Sequence, residues 1–475
     1  MAASIDPRSS SGRLRTATSL HAVSRTMLWL IAFIVIVVLP WFFGGSGPDG
    51  YYTIVWCGRV SLIPLTLWVV LTVLRGERPK ADFWIPIICW GLVAVQVIAS
   101  LDNPSHVSQA PWEGNSFDRI PHQEGRPSSA FPGATLTEGH LWLSFALLAL
   151  SARFIGFTTG QLRGLVWLFV GNATVLALIG IPFKFSGVKA ILGKWPVPEW
   201  YFYSTFLYHN HWCAYALLAL AATTGLFVCA TKTSARVALT LMGIVIAASA
   251  PLSTSRLGTL AMMAFGLFVV ATLARERFSS GRFNFRIPRL LLVVAILGAI
   301  TVVGTVAYFY KIRGEPGGHR TWVGILRNNP FGLRQTFVED TIPMLKEKPW
   351  FGWGLGAYGA AFRSFQRPET IVVHNEGRIT LYDHIHNDWL ERCAELGFIG
   401  FALFIAPGVF WLNALRRQRP LPPLEKWLLA GSAALLIFAL GDMAFLNPVV
   451  AASFAIFFPL AGSGREKSIS ESVNP

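Results

Sequence analysis

Apolar residues run along this chain in unbroken blocks rather than in stripes. Blocks of about 17 to 25 residues, the length that crosses a hydrocarbon core of about 30 Å, recur near 27–43, 53–74, 83–101, 139–157, 163–182, 207–229, 236–252, 257–274, 289–310, 395–413, 426–445 and 449–463. None alternates with the period of two that a barrel strand needs, and backbone in lipid must then satisfy its own hydrogen bonds as helix. The pattern predicts an all-α integral membrane protein of about twelve transmembrane helices, with a large loop between the ninth and tenth. It divides the chain into a tail over 1–26, helices over 27–310, a loop over 311–394, helices over 395–463 and a tail over 464–475. The first block follows a polar, basic tail and lacks a small-residue cleavage site, so it reads as a retained helix.

Composition sharpens this picture. The 475 residues are 53% hydrophobic and only 14% charged, where a soluble domain carries about 25% charge. The net charge of +15 is concentrated at Arg8, Arg13, Arg15 and Arg25, in RGERPK (75–80), at Lys232 and Arg236, in RERFSSGRFNFRIPR (275–289) and in RRQRP (416–420). These clusters occupy alternate connections, so the positive-inside rule puts them and both termini in the cytoplasm. Connections 102–138, 183–206, 253–256 and 311–394 then face outward. Basicity of this kind is membrane anchoring: membrane lipids are an expected partner, and nucleic acid is not.

The outward segment 311–394 is itself basic, with Arg320, Arg327, Arg334, Arg363, Arg367 and Arg378 among its cations. A long loop escapes the topology rule, which leaves either an anionic ligand or a locally paired, solvated surface. PWFGWGLGAYGAAF (349–362) reads as a turn followed by a short interfacial helix, its Trp and Phe at headgroup level. GLGAYG within it matches a dinucleotide fingerprint, but no strand precedes it and no βαβ unit surrounds it. The cysteines, Cys57, Cys89, Cys213, Cys229 and Cys393, lack paired or metal-like spacing and read as small apolar packers. Loop 102–138 mixes Pro, Ser, Gly and charge and is expected to be poorly ordered.

Three polar constellations remain, all on the outward side: YHNHW (208–212), STSRLGTL (253–260) and DHIHNDWLERCAELGFIG (383–400). Ionisable groups at a membrane edge are functional candidates by default. Their spacing carries a family resemblance. His386 and Asn387, nine residues, Gly397, two residues and Gly400 match H-[NSQ]-x9-G-x-x-G, while Arg256 and Leu260 match R-x-x-x-L. Arg334 precedes PWFGWG as an Arg precedes P-x-x-G-x-G. The chain resembles the O-antigen ligase and O-antigen polymerase superfamily of bacterial membrane glycosyltransferases.

That resemblance implies transfer of a glycan from an undecaprenyl-pyrophosphate carrier to an acceptor hydroxyl at the periplasmic face of the bacterial inner membrane. No cofactor is implied. The acceptor, a glycan chain, lipid A core or a protein Ser or Thr, stays open, as does ligase against polymerase. General chemistry agrees. Arg256 and Arg334 offer permanently charged planar forks for a leaving pyrophosphate, and His386 is an imidazole able to take the acceptor's proton near neutrality. Asn387, Asp388 or Glu391 is expected to orient His386 or the acceptor, and His384 competes with His386 for the role of base. Glu395 is expected to pair with an arginine, and Gly397 and Gly400 to let helices approach closely. His209, Asn210 and His211 either line the pocket or anchor a helix end. A metal site built from His374, Asp383, His384, His386 and Asp388 is disfavoured, because two arginines can replace a divalent ion at pyrophosphate. A transporter of lipid-linked sugars is the alternative; it fits less well, since the polar groups cluster at one face rather than along a path.

Overall fold

A computed structural model describes residues 7–109, 116–186, 190–197, 202–279, 333–367, 372–373, 379–380, 383–415 and 421–460. The expected span 289–310, the first part of the large loop and His374 lie outside these residues. Helices dominate: α1 (Pro7–Phe33), α2 (Pro48–Val60), α3 (Leu62–Leu74), α4 (Ala81–Leu101), α5 (Pro132–Phe154), α6 (Thr159–Ser186), α7 (His209–Cys229), α8 (Thr233–Leu252), α9 (Arg256–Ser279), α10 (Leu333–Glu347), α11 (Tyr358–Phe362), α12 (Asp388–Leu415), α13 (Pro423–Phe438) and α14 (Pro448–Leu460). Among the described residues, eight helical stretches are long and apolar enough to cross a membrane, from Ser19–Trp41 to Asp388–Leu415. The protein is a multi-pass membrane protein. Among the described residues, strands are confined to three two-stranded antiparallel pairs.

At the centre stands α7, buried almost all round and packed by α6, α8, α9 and α13. A helix apolar on every face belongs in the middle of a bundle. Its small residues Ala214, Ala216, Ala219, Ala221 and Ala222 permit the close approach that helix association in lipid requires. The N-terminus of α7 is the HNH sequence, so the polar end of the central helix meets a layer of loops and short helices at one end of the bundle.

That layer has a core of its own, formed by Phe337 and Met344 of α10, Trp353, Tyr358, Phe362, Ile385 and Ala394. Trp353 is buried and its Nε1 donates to the Met344 carbonyl at 2.9 Å, whereas Trp350 is 62% exposed. Trp353, Tyr358 and Phe362 of the 349–362 run therefore belong to this core, while Trp350 stays exposed. Loop 102–138 also departs from expectation. It folds into a hairpin, β1 (His106–Gln109) on β2 (Ser116–Arg119), with His106 opposite Arg119. Ala130 N–H then bonds the Trp353 carbonyl at 2.8 Å, and Lys348 bonds Ser128 Oγ at 2.7 Å. Contacts to that core hold its described residues, 102–109 and 116–138, in place in spite of the polar composition.

Two further corrections concern spans. The tenth starts at Asp388, not 395, and is broken within: Gly397 has φ +66°. Residues 349–354 wedge against the break. Trp353 and Gly354 donate to the carbonyls of Ala394 and Glu395 at 3.1 and 3.0 Å, and the Phe398 and Ile399 N–H groups reach the carbonyls of Pro349 and Trp350 at 2.7 and 3.2 Å. The backbone groups freed by the break are thus satisfied by a second chain segment. A Cβ on Gly352 would stand 2.5 Å from the Gly397 nitrogen, and one on Gly397 would collide with the Trp350 backbone. Gly397 is therefore required for a left-handed turn against a crossing strand, not for helix packing. Gly400 does meet a helix, since a Cβ there would stand 2.6 Å from Gln96 Oε1 of α4. The eleventh block, expected over 426–445, is helical only to Phe438. Residues 439–447 leave the helix and form the outer connection to α14.

Candidate active site

This connection carries Asp442, which is fully buried. Its carboxylate gathers groups from several elements at this end of the bundle. Arg334, on the first turn of α10, donates from one terminal nitrogen to Asp442 Oδ2 at 2.7 Å and from the other to the Gly441 carbonyl at 2.8 Å. Asn210 Nδ2 donates to the same Oδ2 at 2.5 Å and to the Tyr208 hydroxyl at 2.7 Å. Oδ1 accepts the Met443 N–H at 2.8 Å and faces His386 Nδ1 at 3.5 Å. Burial alone would raise the Asp442 pKa; the His386 contact, the Arg334 charge and the Met443 N–H outweigh it and hold the carboxyl below its ordinary range. Burial, then Asp442, pushes the Tyr208 phenol up, so it stays protonated.

The histidines of YHNHW act as staples. His209 Nδ1 donates to the Ser253 carbonyl at 3.1 Å, gripping the α8–α9 turn, and His211 Nε2 donates to the Met443 carbonyl at 3.0 Å, gripping the 439–447 connection. Between them Asn210 Oδ1 accepts from Ser255 Oγ. Ser255 caps α9 by accepting the Gly258 N–H at 2.9 Å, and Arg256, the first residue of α9, is exposed next to it. Thr254 and His386 both have left-handed backbone, φ +67° and +58°. Neither is glycine, and strain of this kind collects where side chains must be aimed.

The residues around His386 are turned elsewhere. Asn387 Oδ1 accepts the Leu390 N–H at 3.0 Å and so caps α12. Asp388 Oδ2 accepts the Phe445 N–H at 2.9 Å. Glu391 holds His384 Nδ1 at 2.9 Å and the Ile385 N–H at 3.3 Å. Burial would lower the His384 pKa, but Glu391 outweighs it and raises it from 6.5 to about 9. The contact that orients His386 comes from Asp442, rather than from Asn387, Asp388 or Glu391. Glu395 pairs with Arg392 at 2.5 Å, deep in α12, and accepts the Tyr358 N–H at 3.3 Å. His384, His386 and Asp388 thus face three different partners, and among the described residues no group of three or more His, Cys, Asp or Glu is arranged to hold a metal.

His386, Arg334 and Asn210 therefore meet through one carboxylate, and Ser255, beside Arg256, joins them only through Asn210, while His384 and Glu395 belong to an ion-paired cluster with Glu391 and Arg392. Asp442 is the member that sequence reasoning missed. Its one signal was a lone charge inside an apolar block, GDMAF at 441–445.

Residues 241–405 match the family model described as O-antigen ligase. No curated protein matches the chain. The matched stretch contains Arg256, Arg334, the 349–354 wedge and the 384–400 segment, whereas Tyr208–His211 and Asp442 lie outside it. Over residues 241–405 the chain matches the O-antigen ligase domain, a family of glycosyltransferase or ligase type, which supports an enzyme of that general class in this multi-pass membrane protein.

Proposed function

We propose that the protein moves a glycan from an undecaprenyl-pyrophosphate carrier to an acceptor hydroxyl on the periplasmic side of the inner membrane, with His386 as base and Arg334 and Arg256 on the leaving group. The observation that carries this reading is the shared carboxylate: Asp442 meets both Arg334 and His386. With Nδ1–H turned to Asp442, Nε2 holds the imidazole lone pair, the same division of labour as in a carboxylate-oriented catalytic histidine. The 3.5 Å contact is long, as catalytic hydrogen bonds often are before substrate binds.

In the reaction the acceptor oxygen attacks the anomeric carbon, the bond from that carbon to phosphate oxygen breaks, and its electron pair leaves with undecaprenyl pyrophosphate. The acceptor proton passes to His386 Nε2. Charge grows on the departing pyrophosphate, so fixed cations favour the transition state over the ground state. Arg334 is held at two points and still has 37% of its side chain exposed. Arg256 adds its charge to the positive end of the α9 dipole. Glycan chain, lipid A core and protein hydroxyl would all be activated alike, and a twelve-span arrangement with both termini cytoplasmic would bring this surface to the side where the flipped donor resides.

Purified protein in proteoliposomes, supplied with a lipid-linked donor, tests the assignment. His386→Ala should cut transfer by about a hundred- to ten-thousand-fold while retaining donor binding. Arg334→Ala and Arg256→Ala should weaken donor binding and cut transfer by about a hundred- to thousand-fold, and His384→Ala should have the smaller effect. Near-normal transfer by a folded His386→Ala protein would remove His386 from the chemistry.

A further inference from the structure

Arg334 and His386 reach Asp442 directly, but Arg256 lies on a different helix. Its position depends on a second connection. Asn210 uses every part of its amide there: Nδ2 donates to Asp442 and Tyr208, and Oδ1 accepts from Ser255. Ser255 in turn caps α9, where Arg256 is the first residue. Asn210, Ser255 and Asp442 are all buried, and hydrogen bonds in such surroundings are costly to leave unmade.

We infer that Asn210 is a positioning residue for the donor pyrophosphate, tying the N-terminus of α9, where Arg256 stands, to the carboxylate that holds Arg334 and His386. This rests on the transfer reading proposed above. The role suits Asn alone at this reach. Asp would turn an acceptor toward the Asp442 acceptor, Gln would be one methylene too long, and Ser could not span both partners.

The test measures binding of undecaprenyl pyrophosphate itself to the full chain in nanodiscs. Losing a buried hydrogen bond to a charged group weakens binding by roughly ten- to a hundredfold, which is the expected effect of Asn210→Ala. If Asn210 acts through Arg256, the double variant Asn210→Ala/Arg256→Ala should bind no worse than the weaker single variant; additive losses would overturn the inference.

The isosteric Asn210→Asp keeps the volume and supplies the second arm should Asn210→Ala fail to fold. Two carboxylates at this distance cannot both ionise, so the pair carries a shared proton. The other groups facing Asp442 are Arg334 from α10, His386 and Asp388 from the start of α12, and Tyr208, His211 and Cys213 from the α7 end. All of these are retained in Asn210→Asp. Its affinity for undecaprenyl pyrophosphate should therefore fall steeply as pH rises and the shared proton is lost, with a far shallower slope in the unaltered protein. A uniform loss at every pH would mean a packing role only. If Arg256→Ala and Arg334→Ala leave binding unchanged, the transfer reading itself fails; if they weaken it and Asn210→Ala does not, only the role of Asn210 is lost.

Discussion

Asp442→Asn isolates the charge at the centre of the site while preserving its shape. The carboxylate accepts Arg334 and Asn210 on Oδ2, and Met443 N–H and His386 on Oδ1. An amide has one oxygen and one NH2 group, so whichever way it is placed its NH2 faces two donors. Each arrangement loses a charge-assisted bond, worth about 1.5–3 kcal/mol, and strands a buried donor at about 1–3 kcal/mol. Together these amount to a few kcal/mol, enough to lower the melting temperature without abolishing the fold. The effect on rate should be larger. Without an anion opposite Nδ1, the His386 tautomer with its lone pair on Nε2 is no longer favoured, and loss of such an orienting carboxylate costs on the order of 10⁴-fold in kcat in an Asp–His pair of this design. Arg334 keeps its bond to the Gly441 carbonyl, so donor KM should rise less than kcat falls. Initial rates in proteoliposomes give both constants, and a thermal scan of the same preparation shows that the fold is retained. A folded Asp442→Asn protein with kcat within about tenfold of the original would refute the orienting role, because the general-base contribution alone is about a hundredfold or more.

Gly397→Ala should reduce the yield of folded protein sharply: left-handed backbone costs a non-glycine residue about 1–2 kcal/mol, and the new methyl also meets the Trp350 backbone, which cannot rotate aside. Gly400→Ala should be milder, since the obstructing group is the Gln96 side chain, although its hydrogen bonds to the Phe351 and Leu396 carbonyls would be disturbed. The His384 pKa is raised on folding from 6.5 to about 9, so the stability it contributes is complete below pH 6.5 and is lost as pH rises through about 9; melting temperature should fall over that interval, and His384→Gln should flatten the profile. Reporter fusions after Arg378 and after Lys467 should give periplasmic and cytoplasmic signals respectively, and a cytoplasmic signal at Arg378 would contradict the proposed side of catalysis.

The apolar blocks were legible because lipid acts on each segment separately: a run must be long enough and must bond its own backbone, whatever surrounds it. Arg256, Arg334 and His386 were singled out by spacing, and the fold brings Arg334 and His386 to one carboxylate. Gly397 was visible as a motif glycine but was assigned the wrong reason, since whether a glycine serves a positive φ or a helix contact depends on what crosses it, and the crossing strand is some fifty residues earlier in the chain. Asp442 was hidden by the very rule that revealed the helices. In the 426–445 block it is one charge among apolar residues, and nothing near it in sequence says that the helix ends at Phe438. Its partners lie 56, 108 and 232 residues away at His386, Arg334 and Asn210. Hydropathy is a property of a segment and can be read from it, whereas a buried carboxylate is stabilised by donors that only the packing of α7, α10 and the ends of α12 and α13 brings within hydrogen-bond reach.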